Sequence, residues 1–118
     1  MERTLYASAA RTATPTAVTV RTGRYRGVKL FINVTAIAAT PSVVPTIDMV
    51  DSLSGAVKNL LTGAAVTATG QTVLTIYPGV TVAANVSAAD VLPESIKVTM
   101  THGDADSITY TVSAHLIP

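Results

Sequence analysis

The chain has 118 residues, a net charge of +1 and only 13% charged residues, about half of the usual fraction. So small a net charge produces no long-range attraction for nucleic acid or for an anionic membrane, and we expect neither as a partner. Cysteine is absent, which excludes disulfides and thiolate metal sites, while 19 threonines supply much of the polar surface.

The first 16 residues are small and polar, rich in alanine and threonine, with a proline at position 15. They predict an N-terminal arm over residues 1–16 that becomes ordered on a neighbouring molecule, with an edge strand or a frayed terminus as the alternative. Arg3, Tyr6 and Arg11 are its candidate partner contacts. No apolar run has the length of a signal peptide or of a membrane span, which predicts a protein made in a cytoplasm.

A short strand over residues 17–21 is followed by a turn at residues 23–27 and by the longest strand, residues 27–38. Four of the eight basic residues lie in this hairpin, within the nine positions 21–29. One interpretation is a solvated hairpin tip or strand edge, where positive charge discourages edge-to-edge aggregation of sheets. The other is a contact with an acidic patch on a protein partner. The candidate contacts are Arg21, Arg24, Tyr25, Arg26 and Lys29.

The rest of the chain continues as short alternating segments separated by turn signals. Apolar and polar residues alternate with a period of two in residues 28–35, 73–77, 96–101 and 108–113, as in half-buried antiparallel strands. Residues 80–93 have no clean period and predict a connection between sheets. About seven or eight strands predict an all-β fold, a two-layer antiparallel β-sandwich forming one domain over residues 17–118, with Ig-like and jelly-roll strand orders both open.

Chemistry-bearing residues are few and scattered. His102, Asp104 and Asp106 could surround a divalent cation, but a complete site needs about six ligands, and aspartate and glycine are ordinary hairpin residues. The sequence has no phosphate-binding loop, nucleophile elbow or dinucleotide fingerprint. We therefore predict no catalytic residue, no cofactor and no metal, and a protein that is not an enzyme.

Several strings carry a resemblance to a known family: residues 10–16, 27–43, 73–79, 90–93 and 101–110. Through them the chain resembles small structural proteins encoded among the virion genes of tailed bacteriophages. The resemblance implies a location on the capsid surface of the virion, as a decoration or cement protein synthesised in the host cytoplasm. It implies the major capsid protein as a partner, together with copies of the chain itself, with a trimer as the first expectation.

Two alternatives stay open beside this role. The chain could be a neck, tail or fibre component of the virion. From another class, it could be a carbohydrate-binding sandwich, although sugar stacking normally uses several exposed aromatic rings and the chain has four tyrosines.

Overall fold

The computed structural model describes all 118 residues and contains strands but no helix. The strands are β1 (Glu2–Arg11), β2 (Val18–Arg21), β3 (Gly27–Ile37), β4 (Val43–Val50), β5 (Val57–Thr62), β6 (Gly70–Ile76), β7 (Ser87–Ala88), β8 (Ser95–His102) and β9 (Ile108–Ile117). They form two sheets, with strand orders β1-β9-β3-β6-β7 and β2-β8-β4-β5. The predicted all-β sandwich is confirmed, and the two-residue β7 brings the strands to nine.

Alternation of side chains explains how the two sheets share a core. Burial alternates residue by residue along β9, and Val28, Leu30, Ile32 and Val34 of β3 all point inward. Because successive side chains of a strand face opposite sides, each sheet supplies one apolar face. The 21 buried hydrophobic residues make one continuous cluster.

Strand pairing decides between the two strand orders that the sequence left open. Leaving the two-residue β7 aside, β1 pairs with β9, β2 with β8, β3 with β6, and β4 with β5. The first strand thus pairs with the last, the second with the second-last, and so on inward. This is the pairing of one long hairpin rolled over a core, and it identifies a jelly roll.

The predicted N-terminal arm is corrected by the structure. Most of residues 1–16 lies in β1, an edge strand paired with β9, which was the alternative interpretation. Tyr6 is 6% exposed, and its hydroxyl donates to the Thr16 carbonyl (2.8 Å), with the Val98 carbonyl at 3.2 Å. One buried tyrosine and a ladder of backbone bonds hold a strand whose composition is otherwise that of a polar segment.

Gly27 is required where β3 begins, because β6 passes close to it. A Cβ added at Gly27 would lie 2.7 Å from the Ile76 carbonyl oxygen and would overlap the Tyr77 ring. We expect Gly27→Ala to lower the free energy of unfolding by about 1–2 kcal/mol through overpacking. Gly103→Ala is the control, since its Cβ would meet nothing closer than 3.6 Å. Urea unfolding measures both, and equal stabilities would contradict the close approach.

Candidate interaction surface

The predicted hairpin between β2 and β3 does not form, because β2 pairs with β8 in one sheet and β3 pairs with β6 and β9 in the other. The basic turn at residues 21–27 instead connects the two sheets at one end of the sandwich, where it meets two other parts of the chain. Thr22 N donates to the Glu94 carbonyl (2.8 Å), and Arg26 N donates to the Ile117 carbonyl (2.9 Å). Leu92 N donates to the Arg26 carbonyl (2.9 Å). The basic turn, the loop over residues 77–94 and the last residues of β9 therefore form one surface, which we call the basic end.

Most of the cations of the basic end have no acidic partner. Arg21 pairs with Glu94 at 2.7 Å, but both side chains are largely exposed, so the pair contributes little to stability. Arg24 and Arg26 are exposed and have no carboxylate within 4 Å. The Lys29 amine donates to the Thr75 hydroxyl (3.2 Å) and also lacks a carboxylate. Three cations are thus free for the acidic groups of a partner.

Tyr25 has a different role from its basic neighbours. Its ring is half-buried and packs against the core, and its backbone N–H donates to the Thr22 carbonyl (3.0 Å). Gly23 between them has a φ of +57°, in the left-handed region that glycine adopts without strain. Tyr25 therefore anchors the turn that presents Arg24 and Arg26.

An open cleft of about 430 Å³ lies beside Lys29; we call it the end cleft. Its lining consists of Lys29, Thr75, Tyr77, Pro78, Gly79, Val80 and Ile117. The Tyr77 hydroxyl donates to the Pro118 carbonyl (3.0 Å), which fixes one wall. Sequence reasoning missed this feature, because the cleft depends on the loop after β6 folding back over β3 and β9. Its largely apolar walls and the Lys29 ammonium group suit an apolar side chain that lies next to an acidic residue.

The three candidate contacts on β1 differ in accessibility. Arg3 is exposed. Tyr6 is buried between the sheets, so its prediction as a surface contact is corrected: the ring is part of the core. The Arg11 guanidinium lies 4.6 Å from the centre of the Tyr110 ring and donates to the carbonyls of Ala7 (2.6 Å), Ala9 (3.1 Å) and Tyr110 (2.9 Å). Arg11 is thus engaged in holding β1.

His102, Asp104 and Asp106 do not converge on a common point. The Asp104 carboxylate accepts from Asp106 N (3.0 Å), and the Asp106 carboxylate accepts from Thr40 N (3.2 Å). His102 Nε2 instead lies 3.0 Å from the Tyr110 hydroxyl on β9. No group of three or more histidine, aspartate or glutamate side chains is placed to hold a metal ion.

The His102–Tyr110 contact makes stability depend on pH. Burial raises the pKa of Tyr110 to about 12, so its hydroxyl stays protonated. Burial, and then the Arg11 charge, lower the pKa of His102 below its ordinary value of 6.5, so the imidazole that shares a hydrogen bond with this hydroxyl stays neutral. A histidine whose pKa is lower in the folded state than in the unfolded state stabilises the fold at pH values above its unfolded-state pKa. This stabilisation is lost as the pH falls through the folded-state pKa.

We therefore expect the melting temperature to fall as the pH drops below about 6.5. His102→Gln keeps a hydrogen-bonding side chain without a titrating ring, and its melting temperature should fall less over the same pH range. Thermal unfolding followed by circular dichroism at each pH measures the difference. If the melting temperature of His102→Gln depends on pH as strongly as that of wild type, His102 is not the group responsible.

The outer faces of both sheets are rich in hydroxyl groups. Thr46 of β4 lies opposite Thr99 of β8 and Thr62 of β5. On the other sheet Thr109, Thr111 and Ser113 of β9 and Thr75 of β6 lie on the face turned away from the core. Such faces present many short side chains, which lose little conformational freedom when they pack against another surface.

No family model, no curated protein and no solved structure matches the chain. The structure forms no helix long and apolar enough to cross a membrane.

Proposed function

We propose that the chain is a structural protein of a tailed-bacteriophage virion, and specifically a decoration (cement) protein on the outer surface of the head. The observation that carries the proposal is the basic end, with three unpaired cations on a rigid sandwich whose two outer faces are rich in hydroxyl groups. The jelly-roll fold is compatible with a virion protein, since viral capsid domains have this fold. Lectins and cupins have it as well, so the fold alone does not select the function. The resemblance of the sequence supplies the virion context.

The proposed mechanism is stabilisation of the assembled shell by binding. A module that contacts two neighbouring capsid subunits binds a seam that exists only after assembly. Each bound copy then shifts the equilibrium towards the assembled state by mass action. Arg24 and Arg26 contact acidic residues of the major capsid protein, which orients the module and speeds its association. Copies of the chain meet one another around a local symmetry axis, as a trimer.

Cryo-electron microscopy of the particle whose genome encodes the chain tests this location. Copies of a 12.1 kDa sandwich on the outer head at local symmetry axes would support the proposal. A ring at the neck or density on the tail would move the function to that part of the virion. Absence from the particle would overturn the virion assignment, and a screen for binding to oligosaccharides would follow.

Charge reversal at the basic end tests the contact with the capsid. We expect Arg24→Glu combined with Arg26→Glu to weaken binding to undecorated capsids at least about tenfold, because two attractive contacts become repulsive. Rising salt should weaken wild-type binding, since exposed charges are screened. Lys58→Glu, an exposed change on the edge strand β5 of the other sheet, is the control. Equal binding by all three proteins in a co-sedimentation assay would contradict the role of the basic end.

A further inference from the structure

The turn between β4 and β5 presents a leucine to solvent. Leu53 is 96% exposed, the highest value among the large hydrophobic side chains. Met49 and Val57, in the strand ends that lead to this turn, are 40% and 50% exposed. An isolated exposed leucine is common on protein surfaces. Leu53 differs because the turn around it is fixed; we call residues 51–55 the hairpin tip.

Asp51 fixes the hairpin tip through both its carboxylate and its backbone. One carboxylate oxygen accepts from Leu53 N (3.2 Å) and the other from the Ser54 hydroxyl (2.7 Å). Asp51 also accepts from Gly55 N (2.7 Å) and donates to the Ala56 carbonyl (2.9 Å). Gly55 has a φ of +79°, which closes the turn without strain. Because the tip is already ordered, its docking would cost little conformational entropy.

The end cleft is complementary to the hairpin tip in polarity and charge. Its walls are largely apolar, and its volume of about 430 Å³ can receive a leucine side chain. Lys29 stands at its border without a carboxylate partner, and Asp51 is the one charged residue of the tip. The Asp51 carboxylate keeps free lone pairs beyond its two local bonds, so it can also accept from an ammonium group.

The hairpin tip and the end cleft lie on different sheets, the tip between β4 and β5 and the cleft on β3, β6 and β9. Both lie at the same end of the sandwich, since Met49 beside the tip pairs with Ile96, and the adjacent Ser95 pairs with Arg21 at the basic turn. We propose that the hairpin tip of one copy inserts Leu53 into the end cleft of a second copy, with Asp51 beside Lys29, so that copies associate head to tail. The inference rests on the self-association included in the proposed function, but not on the capsid.

A contact between two different surfaces is heterologous. Each copy in such a pair keeps one unused tip and one unused cleft, so further copies add until the ring closes. A three-fold rotation closes the ring as a trimer. Two copies related by a two-fold axis would instead each place their tip in the other's cleft, which ends the association at a dimer, so the stoichiometry of wild type distinguishes the two arrangements.

Sedimentation velocity over a range of concentrations tests the contact with the full chain. Wild type is expected to associate, and Leu53→Asp and Val80→Asp should each weaken association about 10- to 100-fold, the range expected for losing one buried leucine. Ile37→Asp is the matched control, an exposed apolar residue of β3 opposite Ile108, away from both surfaces. Circular dichroism and thermal unfolding check that each variant is folded.

Mixing the two variants tests whether the tip of one copy meets the cleft of another. Leu53→Asp keeps a functional cleft and Val80→Asp keeps a functional tip, so an equimolar mixture should form a heterodimer that neither variant forms alone. A folded mixture that stays monomeric would overturn the head-to-tail contact. Monomeric wild type at millimolar concentration, or a Leu53→Asp variant that associates like wild type, would also overturn it. The position of the chain on the virion is measured separately, so the two proposals can fail independently.

Discussion

Replacing Ile47 with alanine is expected to lower the free energy of unfolding by about 2–5 kcal/mol, the range for deleting a buried isoleucine side chain. Ile47 is completely buried in the middle of β4, opposite Leu61 on β5 and Val98 on β8. Hydrogen-bonded neighbours on both sides hold the backbone of β4 in place, so the structure cannot collapse into the cavity. Domains of this size are stable by about 5–15 kcal/mol, so the loss is a large fraction of the total.

Urea unfolding followed by circular dichroism measures this loss. Val73→Ala is the control, because Val73 is 36% exposed on the outer face of β6 and its truncation leaves no enclosed cavity. We expect the control to cost less than about 1 kcal/mol. Similar losses for the two variants would show that the outer face of β6 is as tightly packed as the core, contrary to the structure.

The sequence predicts β3, β8 and β9 well, because in each of them apolar and polar residues alternate and the apolar set is buried. It fails for β1, where the only buried side chain is Tyr6 and the remaining residues, apart from the half-buried Leu5, are polar or small. The force that orders β1 is its pairing with β9, whose residues lie 97 to 113 positions later in the chain. A local pattern contains no information about such a partner, so an edge strand and a free arm look alike.

Long-range contacts also explain why the sequence reveals the basic cluster of the basic end but not the end cleft. The cluster from Arg21 to Lys29 is visible in the sequence because its members are close along the chain. The end cleft joins Lys29 to Val80 and Ile117, which come together through the pairing of β3 with β6 and β9 and the turn that follows β6. The exposure of Leu53 likewise depends on the hairpin tip projecting beyond both sheets. Jelly-roll pairing also rests on long-range partners, which explains why two strand orders stayed open.

Arg11→Ala is expected to lower the free energy of unfolding by about 3 kcal/mol and to loosen β1 before the other strands. The ladder between β1 and β9 shifts register between Thr4 and Tyr6 and again between Tyr6 and Ala9. Arg11 spans the second irregularity, where it donates to the carbonyls of Ala7 and Ala9, and it stacks on the Tyr110 ring. A hydrogen bond from a charged group contributes about 1.5–3 kcal/mol, and a cation over an aromatic ring about 0.5–1 kcal/mol.

Amide hydrogen exchange tests whether the loss is local. In Arg11→Ala the backbone amides of β1 that bond to β9 should exchange faster relative to those of β3, because β1 is an edge strand and β3 lies between two neighbours. Arg3→Ala is the matched control, since Arg3 lies on the same strand but makes no side-chain hydrogen bond or salt bridge. Equal acceleration across both strands would mean that Arg11 stabilises the whole sandwich. Faster exchange in β1 alone would identify Arg11 as the residue that keeps this strand folded onto its own molecule, so that β9 is not left open to the β1 of a neighbouring copy.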